Sequence, residues 1–249
     1  PAYPEPYLNL ALELANQGEI EPALGFVRRS LQIKETPANK ALFVRVASVL
    51  DVFTEDARLR ALVTRAATES WERANDLASL ATTLIKYDPR IDDPLLRWLL
   101  LSGPVCDLTL EAFLTASRAM LLESAERAPE AWRDEQLTFA CALARQCYIN
   151  EYVYAASDDE LVRASRLRDM VITAGAAGKP AQIGAVAAYF PLHALPVADA
   201  LLAHAWPEPV AALIDQQIRE PRAEAACRTT IPRLTPIEDE VSRQVQQQY

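Results

Sequence analysis

Prolines in this chain fall where apolar periodicity stops. The sequence has 17 prolines and only six glycines, and most of the prolines separate apolar-periodic segments of about a dozen residues. A proline lacks the backbone N–H and fixes φ near the helical value, so it opens a helix well and continues one badly. A chain punctuated in this way is a succession of helices joined by short turns. Runs that alternate apolar and polar residues, the mark of a half-buried strand, are scarce. The nearest candidate, Tyr148-Ile149-Asn150-Glu151-Tyr152-Val153-Tyr154, reads better as the end of a helix. The expected fold class is all-α, built of stacked antiparallel helical hairpins.

The first hairpin is the most legible. Tyr7, Leu10, Ala11 and Leu14 line one face of its first helix. Gly18 permits a tight turn, Ala23 is small enough for the second helix to approach closely, and Val27, Ser30 and Leu31 continue the inner face. These are the spacings of a tetratricopeptide repeat, although any antiparallel helix pair needs a small residue at its crossing. A second pair runs over 39–53 and 56–70, opened by Thr36 and Pro37, with Leu59, Leu62, Val63 and Ala66 as one stripe. The strict pattern then fades into a less regular helical bundle. Leu77, Leu80, Ala81 and Leu84 mark a helix over 75–86. Asp93 caps and Pro94 opens the next, over 95–102, which is apolar nearly all round and expected at the centre of the core.

Further stripes are Leu110, Phe113, Leu114, Ser117, Leu121, and then Leu137, Cys141, Ala144, Tyr148, Tyr152. Ser157-Asp158-Asp159-Glu160 reads as a capping box that opens a helix to about Thr173. Short proline-broken segments follow, from Pro180 to Pro232. A second capping box, Thr235-Pro236-Ile237-Glu238, starts a last helix with Ile237, Val241, Val245 and Tyr249 on one face. That helix carries no terminating signal, and the chain has no initiator methionine. It reads as a connector leaving a module cut from a longer protein. The division expected is 1–72 for the repeat-like hairpins, 73–233 for the bundle, and 234–249 for the connector.

Charge narrows the partners. Acidic residues number 34 against 25 basic, a net charge of −9. Such a chain repels phosphate backbones unless it carries a local basic patch, and none is visible, so nucleic acid is not expected. No run of apolar residues is long enough to span a bilayer, and no signal peptide is visible, so no membrane contact and a cytoplasmic location are expected. The four cysteines, Cys106, Cys141, Cys147 and Cys227, are expected as free, buried thiols, with Cys141 and Cys147 packed in the core.

Motifs for chemistry are missing. Thr173-Ala174-Gly175-Ala176-Ala177-Gly178-Lys179-Pro180 approaches a phosphate loop but has threonine for the first glycine and proline where the magnesium ligand belongs. It reads as a helix end with glycine turns. No G-x-G occurs, so a dinucleotide fold is not expected. The only histidines, His193 and His204, have no ligand-spaced partners, and Cys141 and Cys147 point about 120° apart on one helix, so no metal site is expected. Asp158, Asp159 and Glu160 are explained by capping. Glu151 is less easily explained, because it projects from the side of Leu137, Ala144 and Tyr148, where a carboxylate needs a partner. A structural salt bridge or a helix-end hydrogen bond explains it better than a ligand contact, and tyrosines at helical spacing are usually core; the candidate residues of a groove are Tyr148, Glu151 and Tyr152. Catalytic, cofactor-binding and metal residues are expected to be absent from this chain.

Three stretches together resemble a known family. They are 7–31, the segment Phe139-Ala140-Cys141-Ala142-Leu143-Ala144-Arg145-Gln146-Cys147-Tyr148 with the tyrosine-rich run after it, and the tail Ile237-Glu238-Asp239-Glu240-Val241-Ser242-Arg243-Gln244-Val245-Gln246-Gln247-Gln248-Tyr249. They resemble the N-terminal helical, tetratricopeptide-like region of bacterial class I S-adenosylmethionine-dependent methyltransferases. The resemblance implies a parent enzyme whose S-adenosylmethionine would bind in a domain outside this chain. The chain would be its non-catalytic helical part, holding a protein, a peptide or its own catalytic domain. The alternative is a stand-alone scaffold or oligomerisation domain, and a homo-oligomer fits either.

Overall fold

The computed structural model describes residues 3–50 and 57–230 together with Ser242, and every element among them is helical. Helices α1 (Pro4–Asn16) and α2 (Ile20–Ile33) pack together across a tight turn in which Gly18 adopts a left-handed φ of 82°. That conformation costs glycine nothing and other residues about 1 kcal/mol or more. Ala11, Ala23, Val27, Ser30 and Leu31 are buried at the crossing, as their spacing predicts. Leu10 differs: it is 43% exposed, because no described element covers that side of α1.

Helix α3 (Pro37–Ala47) is started by the expected Thr36-Pro37 signal, with Asn39 completing a capping box. Asn39 does more than cap. It is fully buried, and its amide nitrogen donates to Ser30 Oγ at 3.1 Å and to the Lys34 carbonyl at 2.8 Å. Ser30 Oγ in turn donates to the Pro4 carbonyl at 3.0 Å. One polar chain thus ties the starts of α1 and α3 to the end of α2, with its donors satisfied. Helix α4 (Ala57–Thr68) buries Leu59, Val63, Ala66 and Ala67. The parts of the second expected hairpin that include Phe53 and Asp56, and the whole connector helix apart from Ser242, lie outside the described residues.

Helices α5 (Ala74–Ile85) and α6 (Pro94–Ser102) continue the array, with Asp93 capping α6 through its carboxylate and the Leu95 N–H at 2.9 Å. Asp93 is buried and also ion-paired to Arg60 of α4, whose guanidinium donates to the Leu84 carbonyl. The expectation for α6 holds on one side only. Leu95, Leu96, Leu99 and Leu100 are buried, while Leu101 is 38% exposed and Arg97 faces solvent.

The fully enclosed position belongs to α10 (Pro180–Ala187), in which every residue from Ala181 to Ala187 is buried. It packs on α7 (Leu108–Arg127), α8 (Asp134–Ile149) and α9 (Asp158–Ala174). Gly184 faces α8 closely, and a Cβ there would meet Cys141 Sγ at 3.6 Å, an ordinary packing contact. A short helix, α11 (Ala198–Ala203), follows. The chain then departs from the expected proline-broken segments. Helix α12 (Glu208–Ile214), a π turn (Asp215–Arg219) and α13 (Glu220–Thr230) run without interruption through Pro221. A proline inside a helix removes one donor and crowds the preceding turn. Widening that turn accommodates it, and the Glu220 N–H reaches back to the Asp215 carbonyl.

Candidate functional site

Helix α8 organises both candidate surfaces. Its apolar run buries Phe139, Ala140, Cys141, Ala142, Leu143, Ala144 and Cys147. The polar exceptions are informative. Gln146 is fully buried, and in the amide orientation its neighbours demand it donates to the carbonyls of Gly103 and Leu100 at 2.9 and 3.0 Å and accepts from the Val105 N–H at 3.3 Å. It therefore caps the end of α6, where carbonyls would otherwise lack partners.

The tyrosine-rich end of α8 turns away sooner than its stripe predicts. The helix stops at Ile149, and Glu151 and Tyr152 both take left-handed φ values, 56° and 60°. The Tyr152 N–H closes the turn on the Cys147 carbonyl at 2.8 Å. Glu151 is thereby carried off the apolar side and into solvent, so it does not join Tyr148 on one helical face. Tyr148 and Tyr152 do meet, edge to face at 6.3 Å, and Tyr148 meets the His193 ring in the same geometry at 6.1 Å.

Beneath these rings lies Gln217 of the π turn, fully buried. Its amide donates to the carbonyls of Ala144 and Ala187, both at 3.2 Å, and accepts from the Leu192 N–H at 3.1 Å. His193 Nδ1 lies 3.2 Å from the Gln217 carbonyl, which can only accept, so Nδ1 carries the proton. That carbonyl is the one Pro221 leaves without its usual helical donor. Tyr152 donates its hydroxyl to the Ala187 carbonyl at 3.3 Å. Burial, and then the nearby Glu224 and Glu220, push the Tyr148 hydroxyl above its usual range, and burial does the same to Tyr152. These phenols stay protonated. The Gln217 amide and the Tyr152 hydroxyl are tied to backbone, while the Asn150 amide and the Tyr154 hydroxyl nearby are buried without a hydrogen-bond partner among the described residues.

A second polar cluster was hidden by a cap. Ser157 accepts from the Glu160 N–H at 3.2 Å, as a capping box requires. The Glu160 carboxylate does not return the bond. It turns inward to Arg118, only 2% exposed, at 3.1 Å, and accepts from the Tyr189 hydroxyl. Arg118 also donates to the Ala155 carbonyl at 2.7 Å and stacks over the Tyr189 ring at 4.5 Å. Burial raises the Cys147 thiol to about 11, and burial and the Glu208 charge raise that of Cys141 to about 12. Neither is a nucleophile near neutral pH.

On the other side of α8 a cleft of about 260 Å³ opens between α6, α8 and α12. Arg97, Arg145 and Glu208 stand on its walls, over Cys141, Ala142 and Ala212. Arg145 Nε donates to Gln216 Oε1 at 3.3 Å. No motif in the sequence marks this cleft. Arg145, a lone cation inside the apolar run of α8, was its visible signal. Arg97 and Glu208 lie far from it in sequence, and nothing local points to their meeting. Among the described residues no group of three or more His, Cys, Asp or Glu comes together to hold a metal, and no helix is long and apolar enough to cross a membrane.

No family model, no curated protein and no solved structure matches this chain.

Proposed function

We propose that this chain is a non-catalytic helical recognition module that holds a protein or peptide, and that it recruits substrate for a larger S-adenosylmethionine-dependent methyltransferase. The cleft between α6, α8 and α12 carries the recognition part: it is open, charged and floored by apolar atoms, the usual make-up of a binding site. The Gln217 amide, the Tyr152 hydroxyl and the Arg118 guanidinium are bonded to backbone, which supports a structural role for them. The buried thiols of Cys141 and Cys147 lie far above neutrality, which argues against thiol chemistry there. The methyltransferase part is supported by the sequence resemblance, and the small residues buried at the α1–α2 crossing support a tetratricopeptide-like start. On this reading the methyl donor binds outside this chain and the module works in the cytoplasm.

The test is to supply the full-length gene product, with its co-purifying proteins, with labelled S-adenosylmethionine. Label is expected in a bound protein and is expected to fall at least tenfold when Arg97 and Arg145 are both changed to Gln. Undiminished labelling by that variant, or no methyl transfer, sinks the reading.

One observation favours a stand-alone oligomerisation domain instead. On α9, Leu161, Val162 and Met170 are 44%, 48% and 54% exposed. Sedimentation across a range of concentrations separates the readings, since an oligomerisation domain shows a dimer that Val162→Glu abolishes.

A further inference from the structure

The cleft between α6, α8 and α12 has a charge pattern that defines its ligand more narrowly. The chain carries an excess of acid, 34 residues against 25 basic. Even so, two guanidiniums and one carboxylate share this hollow. Among the described residues, neither Arg97 nor Arg145 forms an ion pair with Glu208 or any other acid. Arg145 is positioned by its Nε bond to Gln216, which leaves its terminal nitrogens free to face a ligand. Glu208 acts electrostatically on Cys141 Sγ to raise its pKa while Arg145 acts to lower it, so opposite charges flank the same floor atom.

Two guanidiniums and one carboxylate leave a surplus of one positive charge, which matches a single carboxylate and disfavours a doubly charged phosphate. A guanidinium fork fits a carboxylate in two parallel bonds, and these gain strength beside an apolar floor. Glu208 is an acceptor, which suits an N–H beside that carboxylate. Cys141, Ala142 and Ala212 leave space for an apolar side chain, and about 260 Å³ admits a body the size of one residue, too small for a nucleotide cofactor.

We propose that this cleft binds the α-carboxylate end of an apolar residue, with the carboxylate on Arg97 and Arg145, the adjoining N–H on Glu208, and the side chain over Cys141, Ala142 and Ala212. The proposal rests on the reading of the chain as a recognition module and names what that module holds. A peptide C-terminus and a free amino acid share this chemistry, and the test separates them.

Isothermal titration of the 249-residue chain is made with the tripeptide Ala-Ala-Leu, with its C-terminal amide, and with free leucine. The free tripeptide acid is expected to bind at least tenfold more tightly than the amide. Arg97→Gln and Arg145→Gln are each expected to weaken it at least tenfold while leaving the thermal midpoint in place, since both side chains stand on the wall of the cleft. Tighter binding of the tripeptide than of leucine places the ligand at a peptide end, and the reverse places it as a free amino acid. Both results support the site. Equal affinity for acid and amide overturns the carboxylate site while leaving peptide recognition standing. Failure of all three to bind overturns the site, and the methyl-labelling experiment then judges the recognition reading separately.

Discussion

Single residues in this protein are decided by whether a buried polar atom finds its partner. Arg118 is the sharpest case. It is almost fully buried, and Glu160, two backbone carbonyls and the Tyr189 ring surround it. Removing one member of a buried pair strands the other charge, at a cost of about 3–5 kcal/mol. Arg118→Ala is therefore expected to lower the unfolding free energy by about that much in a urea titration, and a loss below 1 kcal/mol would show that water reaches Glu160 freely. Gly25 is the opposite case. It lies inside α2, and a Cβ there would meet nothing within 4 Å. Alanine is preferred over glycine in a helix interior by about 1 kcal/mol. Gly25→Ala is expected to raise the thermal midpoint, and a fall would reveal a contact to the α2 surface. Arg118 also marks where helical periodicity stops being informative. Its stripe neighbours Leu114, Ser117 and Leu121 read correctly, but an arginine on a helix reads as solvated, and Glu160 already had a role as a capping residue.

At the scale of the elements, the joints are polar and the helices between them apolar. The π turn is the clearest joint. Gln217 binds α8 through Ala144, α10 through Ala187 and the following loop through Leu192. Gln217→Leu leaves the Leu192 N–H buried without its acceptor, a loss worth about 1–3 kcal/mol, while the Ala187 carbonyl keeps the Tyr152 hydroxyl and the Ala144 carbonyl keeps its place in α8. The variant is expected to unfold about 1–3 kcal/mol more easily, with the helical content of the remaining native state unchanged by circular dichroism. The other joint is electrostatic. Glu35, between α2 and α3, sits 2.8 Å from Arg65 and 3.2 Å from Lys40. Hydrogen bonds from Arg65 and then Lys40 hold its carboxyl below the usual value of 4.5. A depressed folded pKa adds stability above the unfolded value, and that stability is lost as the pH falls through the folded one. The thermal midpoint is thus expected to drop on acidification below about pH 4.5, and Glu35→Gln to make that drop shallower. The effect is small because the partners are partly exposed. Equal slopes for both proteins would remove Glu35 from the account.

Across the whole molecule, burial splits the four cysteines, all expected as buried thiols: the core places of Cys141 and Cys147 hold, and those of Cys106 and Cys227 do not. Cys106 and Cys227 are exposed, while Cys141 and Cys147 are buried with their thiols pushed up to about 12 and about 11. A thiol reagent at neutral pH is expected to label the exposed pair at once and the buried pair only with unfolding, and prompt labelling of Cys141 would mean that the cleft floor opens. The all-helical architecture, the starts of α3, α6 and α9 and the crossing of α1 on α2 were legible in the sequence. Capping, proline placement and periodicity act over a few residues, so the sequence alone determines them. The continuation of a helix through Pro221, the burial of α10 in place of full burial of α6, and the departure of Glu151 from the tyrosine groove were decided by tertiary structure. So was the meeting of Arg97, Arg145 and Glu208. Each depends on which distant segment supplies a hydrogen-bond partner, a packing surface or an opposing charge, and chain spacing carries no record of that.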